Sequence, residues 1–373
     1  MNKNKDILVF VGTYSEDIKF GTGEVLHGKG EGIYIFCLNP ETGELTLLGK
    51  GFGKPNPSYL TLDPTKKYLY CVNEIKEFKG LKSGSVSAFS LDPKNGKLTL
   101  LNRRPTNGTD PCHLIINNAN THLLVANYAS GSFSVLPINY DGSLEPISCF
   151  IQHEGKSIDE IRQTGPHPHK IELDKSNRRV FVTDLGCDKV FIYKTDFPND
   201  KLIPSDPAYL EIKAGEGPRH CIFHPLGKYF YVVNELGSSI YSYQYDENEG
   251  TLELLQIIST LSDDYIGQSS SAAIKILPGS NYLYTSNRGH DSVSVFKIDG
   301  ETGKLTLVST HSTGGSMPRD FDFDPEGNFL LATNQDSDNI VVFKVNRETG
   351  VISEVFRVND ISNPICVRAY SMD

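Results

Sequence analysis

Apolar residues in this chain occur in short runs of Val, Ile, Leu, Tyr and Phe, separated by turns rich in Gly, Asn, Asp and Pro. Apolar positions spaced as on one face of a helix are nearly absent. Short runs of β-branched and aromatic residues bounded by turn residues are typical of β-strands. The pattern therefore predicts an all-β protein.

One predicted hairpin recurs along the chain and is clearest in residues 215–235. It begins with Gly-Pro, continues as an apolar strand, turns at His-Pro-Leu-Gly and ends as a second apolar strand closed by Asn-Glu. A degenerate copy lies at Ser271-Ala272-Ala273. The other copies begin near Pro57, Pro111, Pro168, Pro218, Pro318 and Pro364. The steps from Pro57 to Pro364 average about 51 residues, which indicates a repeat architecture.

Each copy except the last continues with a third strand and a Gly-centred turn that opens a fourth. Four short strands per repeat at this period predict a β-propeller. The chain begins with a second, third and fourth strand, near Ile7, Gly32 and Gly43, and stops after a first strand at residues 363–369. We therefore predict one domain over residues 1–373. It has seven blades of four antiparallel strands, and the N- and C-terminal strands close the last blade and remove its exposed edges.

Composition narrows the functional classes. The net charge of −10 argues against nucleic acid or an anionic membrane as the main partner. The seven cysteines are widely spread and lie mostly in apolar runs, which suits buried thiols in a reducing compartment. The first apolar run is too short for a signal-peptide core, and no run approaches the length of a membrane span. We expect a cytoplasmic protein that is a monomer or a weak homo-oligomer.

The repeat predicts where function lies. First strands start, and second strands end, on the same rim of the propeller channel, and the longest irregular segments fall on that rim. These segments are residues 15–30, 74–83, 152–165 and 262–270. The rim collects Tyr14, Tyr59, Glu74, His113, Tyr128, His169, Asp184, Arg219, His220, Glu235, Arg288, Arg319, Asp320 and Gln335. Charged residues also simply solvate a rim, but other positions of the repeat carry no comparable group.

A metal site is not predicted. His167 and His169 share one face of an extended segment, as two ligands would, but no acidic pair lies nearby in the sequence and Cys187 stands alone. We expect no cofactor. The Asn and Asp residues that end the second strands are interpreted as turn-capping residues. The absence of Trp removes the signature of the WD-repeat propellers.

Several motifs together resemble the seven-bladed propeller lactonases, a family with the bacterial propeller-type 6-phosphogluconolactonases and the fungal 3-carboxy-cis,cis-muconate lactonizing enzyme. The resemblance covers essentially the whole chain. Its motifs are Val11-Gly-Thr-Tyr14, Asn56-Pro-Ser-Tyr59, Val125-Ala-Asn-Tyr128, Gly165-Pro-His-Pro-His169, Gly217-Pro-Arg-His220, Val233-Asn-Glu235 and Ser286-Asn-Arg288. In this family a His, two Arg and a Glu at the channel mouth form the proposed active site. By motif match these residues are His169, Arg219, Glu235 and Arg288.

The resemblance implies a metal-independent hydrolase acting on a small anionic sugar lactone, such as 6-phosphoglucono-1,5-lactone. Lactone hydrolysis needs an activated water and a stabilised oxyanion. Our hypothesis assigns Glu235 as the base, His169 as its partner or the acid, Arg219 as the oxyanion stabiliser and Arg288 as the anion clamp. The base could equally be His169. Residues expected to bind substrate are Tyr14, Tyr59, Glu74, His113, Tyr128, His220, Arg319 and Gln335.

Three other functions stay open at the level of sequence. A muconate-type cyclising enzyme would use similar groups, so the motifs do not separate it from a hydrolase. A non-catalytic propeller that binds a ligand or a protein is the second alternative. The third is a calcium-dependent six-bladed lactonase, which the seven repeats and the lack of a clustered acidic ligand set argue against.

Overall fold

The computed structural model describes residues 7–372. Within this range the chain forms thirty β-strands and one 3₁₀ helix, Phe197–Asn199. The strands build seven four-stranded sheets and one small hairpin. The hairpin consists of β2 (Ile18–Lys19) and β3 (Val25–Leu26). The predicted all-β architecture of seven blades is confirmed.

The blades are numbered from the one that contains both chain ends, and their strands are given from the first to the fourth. Blade 1 contains β30 (Pro364–Ser371), β1 (Ile7–Thr13), β4 (Ile33–Leu38) and β5 (Leu45–Phe52). Blade 2 contains β6 (Leu60–Leu62), β7 (Tyr68–Asn73), β8 (Ser85–Leu91) and β9 (Leu98–Pro105). Blade 3 contains β10 (Pro111–Ile116), β11 (His122–Asn127), β12 (Ser132–Pro137) and β13 (Cys149–Gln152).

The other four blades have the same arrangement. Blade 4 contains β14 (Pro168–Leu173), β15 (Arg179–Asp184), β16 (Lys189–Asp196) and β17 (Lys201–Glu211). Blade 5 contains β18 (Pro218–Phe223), β19 (Tyr229–Asn234), β20 (Ser239–Asp246) and β21 (Thr251–Ser259). Blade 6 contains β22 (Ser270–Ile276), β23 (Tyr282–Arg288), β24 (Ser292–Ile298) and β25 (Leu305–Ser312). Blade 7 contains β26 (Pro318–Phe323), β27 (Phe329–Asn334), β28 (Asn339–Val345) and β29 (Ile352–Val358).

The chain ends close the ring. Strand β1 pairs antiparallel with β30, from Ile7 opposite Ser371 to Thr13 opposite Pro364, and its other edge pairs with β4. The first strands of neighbouring blades also contact one another, from β6 through β10, β14, β18, β22 and β26 to β30, which returns to β6. The first strands therefore line the central channel.

The proline that opens a first strand sets the direction of the residue after it. In four blades this proline lies opposite the Asn or Asp that ends the second strand, and the ladder then skips one residue. A skipped residue forms a β-bulge, which redirects a side chain. The skipped residues are Cys112, His169, Arg219 and Arg319. The sequence repeat therefore places four side chains at the end of the channel where the first strands begin.

The Asn residues that end β11 and β23 bond to the connection from the preceding blade, a structural role whose partners differ from the turn capping interpreted from the sequence. The Asn127 amide donates to the Thr106 carbonyl, which lies in the connection from the preceding blade, and to the hydroxyls of Ser132 and Ser134 in the third strand. Asn287 repeats this pattern with Thr260, Ser292 and Ser294. These buried hydrogen bonds fix the rim from which the functional side chains project.

The core lies between adjacent blades. Val9 of blade 1 and Leu331 and Val342 of blade 7 belong to one buried cluster, and equivalent clusters separate the other blades. Burying each such side chain stabilises the fold by about 1.5–3 kcal/mol. No helix formed by residues 7–372 has the length and apolar character needed to cross a membrane. The result is a rigid ring with its long loops on one rim.

Candidate active site

The predicted rim surrounds a cavity of about 520 Å³, a size typical of sites for small molecules. Its lining combines charged residues from blades on both sides of the channel with aromatic residues and with the β2–β3 hairpin. The charged and titratable side chains that matter most for chemistry are Glu74, Arg162, His169, Glu235, Arg288 and Arg319. The long rim loops therefore enclose a site for a small polar ligand.

Glu235 is the centre of a buried arginine cluster, formed by Glu235, Arg162, Arg219 and Arg288. Arg219 Nε lies 2.9 Å and Arg288 Nη2 lies 2.7 Å from Glu235 Oε2, and Arg162 Nη2 lies 2.6 Å from Oε1. The side chains of Glu235 and Arg219 are each only 3% exposed. Three guanidiniums against one carboxylate leave this cluster with a formal charge of +2.

The sequence repeat positions three members of the arginine cluster. Arg219 is the bulged residue after Pro218, Glu235 follows Asn234 at the end of β19, and Arg288 follows Asn287 at the end of β23. Arg219 Nη1 also donates to the Ala272 carbonyl at 2.7 Å, which fixes the guanidinium against blade 6. The fold therefore holds the carboxylate and these two arginines on neighbouring blades.

The cluster controls the protonation of Glu235. Burial raises the pKa of the Glu235 carboxyl, but the guanidiniums of Arg288, Arg162 and Arg219 lower it more and hold it well below its usual range. Glu235 is therefore ionised at neutral pH, and both of its oxygens face arginines. These contacts suit a residue that holds the guanidiniums in place rather than one that accepts a proton.

His169 lies at the floor of the cavity as a neutral imidazole. Burial and the nearby Arg219 guanidinium lower the pKa of His169 well below its usual value. Its ring lies 5.5 Å from the ring of Tyr128 and 5.3 Å from that of His220. Within residues 7–372, His169 Nδ1 is a buried nitrogen that lacks a hydrogen-bond partner.

Arg319 differs from the cluster arginines because it makes no ion pair within 4.0 Å in the described part of the chain. Its guanidinium carbon lies 5.6 Å from the centre of the Tyr14 ring and 5.5 Å from that of Phe20, within the range of cation–π contacts. Arg319 also lines the cavity. Its N–H groups are thus free to meet a negative charge that develops there.

The β2–β3 hairpin forms one wall of the cavity. Phe20 packs edge-on against Tyr14 with 5.9 Å between ring centres. Gly21 approaches the opposite wall of the cavity closely, because a Cβ atom on Gly21 would lie 3.2 Å from Arg162 Nε and from the Tyr128 hydroxyl. The hairpin therefore reaches across the mouth toward the loop that carries Arg162 and limits the size of the ligand.

The family model described as "Lactonase, 7-bladed beta-propeller" matches residues 8–369. The chain belongs to this family. The lactonase fold, the seven blades and the enclosed polar cavity agree with the resemblance identified from the sequence motifs.

Relatives with assigned names extend over most of this lactonase. It is 34% identical over 316 residues to a 6-phosphogluconolactonase of Bacillus subtilis, covering 85% of this chain and 84% of that protein. It is also 34% identical to a 6-phosphogluconolactonase of Formosa agariphila, and the match covers 85% of this chain and 86% of that protein. Among solved structures, the periplasmic gluconolactonase of Pseudomonas aeruginosa superposes with a TM-score of 0.90 at 30% identity. The superposition covers 99% of this chain and 100% of that one.

The structure divides the predicted site residues of the lactonase into two groups. Those that line the cavity are Glu74, Tyr128, His169, Glu235, Arg288, Arg319 and Gln335. Those that do not are Tyr14, Tyr59, His113, Arg219 and His220. Tyr14 lies behind Glu74 and Phe20, and Arg219 lies beneath Glu235. Contact of this second group with the substrate stays a prediction, because these five residues do not line the cavity.

Aromatic rings that do not line the cavity pack against one another at tilted and edge-on angles. The Tyr59 and His113 ring centres lie 4.3 Å apart, and the His113 and His220 ring centres lie 6.1 Å apart. Arg368 lies over the Tyr59 ring at 4.3 Å and ion-pairs with Asp320. These residues therefore pack together next to the cavity rather than lining it.

Sequence reasoning missed Arg162, Lys76 and Asp110, which also line the cavity. Arg162 follows no motif of the repeat, but it lies in residues 152–165, a segment whose length alone had placed it on the functional rim. Lys76 Nζ and Asp110 Oδ2 lie 3.7 Å apart. Between residues 7 and 372, no three His, Cys, Asp or Glu side chains converge in a way that could hold a metal ion.

Proposed function

We propose that this lactonase hydrolyses a phosphorylated aldonolactone, 6-phosphoglucono-1,5-lactone, to 6-phosphogluconate. The observation that carries the proposal is the formal charge of +2 of the arginine cluster. A buried charge is costly unless it is paired. A phosphate monoester carries a charge of about −1.5 to −2 at neutral pH, which complements the cluster.

The cluster also contains buried hydrogen-bond donors that no group in residues 7–372 satisfies. Within the described chain, Nε of Arg162 and Nε of Arg288 have no hydrogen-bond partner. Guanidinium groups bind phosphate oxygens with strong charge-assisted hydrogen bonds. We therefore assign Arg288, the predicted anion clamp, and Arg162 to the phosphate, with Glu235 holding both in place.

With the phosphate at the arginine cluster, the lactone ring extends toward the cavity floor, where His169, Glu74 and Arg319 lie. Arg319 then takes the role of oxyanion stabiliser that the sequence hypothesis gave to Arg219, because Arg319 lines the cavity and Arg219 does not. A single donor aimed at the developing oxyanion contributes about 3–4 kcal/mol to the transition state. His169 hydrogen-bonds the substrate from the same floor.

The test is the hydrolysis of 6-phosphoglucono-1,5-lactone compared with glucono-1,5-lactone, measured as acid release after subtraction of the spontaneous rate. We expect a kcat/KM at least about 10-fold higher for the phosphorylated lactone, since hydrogen bonds to charged groups contribute about 1.5–3 kcal/mol each. Arg288→Gln should remove most of this preference. Arg178→Gln, which changes an exposed arginine at the turn between β14 and β15, is the matched control. Equal turnover of both lactones would refute the phosphate assignment.

The same assay includes 3-carboxy-cis,cis-muconate and EDTA. Turnover of the muconate without turnover of either lactone would replace hydrolysis by cyclisation as the activity. A loss of lactone hydrolysis in EDTA would show that a metal ion takes part. Neutralisation of Arg288, Arg319 and Glu235 without any loss of turnover would mean that the propeller is a binding scaffold.

We further infer that the lactonase acts in the cytoplasm as a monomer or a weak homo-oligomer, with a small molecule rather than nucleic acid as its partner. Five of its seven cysteines are buried, and buried thiols suit a reducing compartment. The net charge of −10 disfavours binding to nucleic acid. Cell fractionation and analytical ultracentrifugation test these assignments.

A further inference from the structure

Glu74 and Glu235 occupy equivalent positions on opposite sides of the channel mouth. Glu74 follows Asn73 at the end of β7 in blade 2, and Glu235 follows Asn234 at the end of β19 in blade 5. Their surroundings differ sharply. Glu235 meets three guanidiniums, whereas no Lys or Arg nitrogen in residues 7–372 lies within 4.0 Å of the Glu74 carboxyl group.

The fold holds Glu74 firmly without neutralising it. The Tyr14 hydroxyl donates a hydrogen bond to Glu74 Oε2 at 3.2 Å, and the Glu74 backbone N–H donates to the Asn56 carbonyl at 3.0 Å. The Glu74 residue is only 7% exposed, yet it lines the cavity. A buried carboxyl group that faces a ligand cavity without an ion pair suits proton transfer.

Charged and polar groups from four places in the fold influence the pKa of Glu74. Burial raises the pKa of Glu74 to about 7, against the lowering effects of Arg319 on β26 and of the Tyr14 and Ser58 hydroxyls. Asp110, which precedes β10, raises it. The Cys112 thiol on β10 is itself neutral at this pH, because burial raises its pKa. Glu74 is therefore partly ionised at neutral pH, where a general base works best.

Glu74 also lies where a water molecule fits. Beneath the cavity floor is a void of about 10 Å³, close to the space that one water needs, and Glu74, His169, Arg319 and Asp320 line it. In the described part of the chain, His169 Nδ1 and Asp320 Oδ1 have no hydrogen-bond partner. Glu74, His169 and Arg319 line both this void and the cavity, so a water held there adjoins the ligand.

We propose that Glu74 accepts the proton of the water that attacks the lactone carbonyl, and that Tyr14 positions its carboxyl group. This inference rests on the proposed lactonase activity. The water oxygen bonds to C1 while its proton passes to the Glu74 carboxylate, and the carbonyl electron pair moves onto the oxygen that faces Arg319. Collapse then breaks the bond between C1 and the ring oxygen. The proton passes from Glu74 to that ring oxygen, which leaves as a hydroxyl group, and the product acid releases its own proton to solvent.

Glu74→Gln is the first test. We expect kcat to fall about 10²–10⁴-fold, because a general base contributes a factor of this size. Binding of the product 6-phosphogluconate, measured by calorimetry, should stay close to the wild-type value, because the arginine cluster is intact. Glu235→Gln should instead weaken product binding. A Glu74→Gln variant that folds, binds product and retains more than a tenth of the wild-type kcat would overturn the proposal.

The pH profile is the second test and separates a catalytic role from a structural one. Wild-type kcat, corrected for spontaneous hydrolysis, should fall as pH drops through about 7, because Glu74 must be ionised to accept a proton. Tyr14→Phe removes a hydrogen bond that lowers the Glu74 pKa, so the acidic limb of the kcat–pH profile should move to higher pH. Asp110→Asn removes a charge that raises it, so the limb should move to lower pH. Limbs that do not move in these variants would refute the assignment.

The outcomes also distinguish this inference from the proposed function. If the wild-type protein hydrolyses no lactone, the proposed function fails. If the wild-type protein is active and Glu74→Gln is equally active, only the role of Glu74 fails.

Discussion

Replacing Glu235 by Gln tests the electrostatic core of the site. The substitution keeps the size of the side chain and removes the only carboxylate in residues 7–372 that faces Arg162, Arg219 and Arg288 at 2.6–2.9 Å. Arg219 and Arg288 would then remain buried, and Arg162 partly buried, without a counter-charge, and the Gln amide would present N–H donors to them. We therefore expect the variant to lose stability, and to bind phosphate less well because Glu235 no longer holds Arg162 and Arg288 in place.

The size of the stability loss follows from the burial of the cluster. Removing one partner of a buried ion pair costs about 3–5 kcal/mol. The unfolding entropy of globular proteins is about 2.1 cal/mol/K per residue, so for 373 residues a loss of about 4 kcal/mol lowers Tm by about 5 °C. An exposed pair of the same type would change stability by less than about 1 kcal/mol.

The stability difference between the wild-type protein and Glu235→Gln should depend on pH in one direction. The arginines hold the pKa of Glu235 well below its usual range, so the folded-state value lies below the unfolded value of about 4.3. A group with a lowered folded pKa stabilises the protein above the unfolded pKa, and this stabilisation is lost as pH falls through the folded pKa. The stability gap between wild type and Glu235→Gln should therefore be constant from pH 6 to 8 and shrink only below about pH 4.

The assay is calorimetric or fluorescence-detected thermal unfolding of three proteins at several pH values. Glu249→Gln in the turn between β20 and β21 of the same blade is the matched control, because this Glu is exposed. Its Tm should stay within about 1 °C of the wild-type Tm. A Tm for Glu235→Gln as close to wild type as this would contradict the electrostatic account of the cluster.

Three further predictions concern the cavity. Arg319→Gln should lower kcat about 10²–10³-fold with little change in KM, as expected for a donor that acts in the transition state; a KM effect alone would place Arg319 at the bound ground state instead. Gly21→Ala should raise KM for the phosphorylated lactone while leaving Tm nearly unchanged, because the new Cβ would lie 3.2 Å from Arg162 Nε and the Tyr128 hydroxyl; an unchanged KM would mean that the β2–β3 hairpin does not limit the substrate. EDTA should leave kcat/KM unchanged, because no three potential ligands in residues 7–372 converge on a metal-binding geometry; inactivation that added metal reverses would contradict this.

The fold was predictable because each repeat carries the same local signals. Pro218 and Asn234 end up opposite each other in the ladder, as do Pro168 and Asp184, so the two residues that mark the repeat in the sequence also mark its register. The positions of His169, Arg219, Glu235 and Arg288 follow directly from these markers. Equivalent sequence positions became equivalent places on one rim.

The remaining features depend on contacts between distant segments, which local signals do not encode. Arg162 reaches Glu235 from an irregular loop 73 residues away, and no repeat position predicts its direction. Glu74 and Glu235 look alike in sequence, but the packing of neighbouring blades gives Glu235 three arginine ion pairs, whereas Glu74 makes no such pair within 4.0 Å in residues 7–372. Tyr59, His113 and His220 do not line the cavity, and no local signal predicts that their rings pack against one another.

The central claim is that this propeller adds water to the carbonyl carbon of a phosphorylated sugar lactone. The most direct test is hydrolysis of 6-phosphoglucono-1,5-lactone in H₂¹⁸O, followed by mass spectrometry of the product at increasing enzyme concentration. The account predicts one ¹⁸O atom in the carboxylate of 6-phosphogluconate, formed at a rate proportional to enzyme and lost in Glu74→Gln. Product formation at the spontaneous rate, whatever the enzyme concentration, would contradict it.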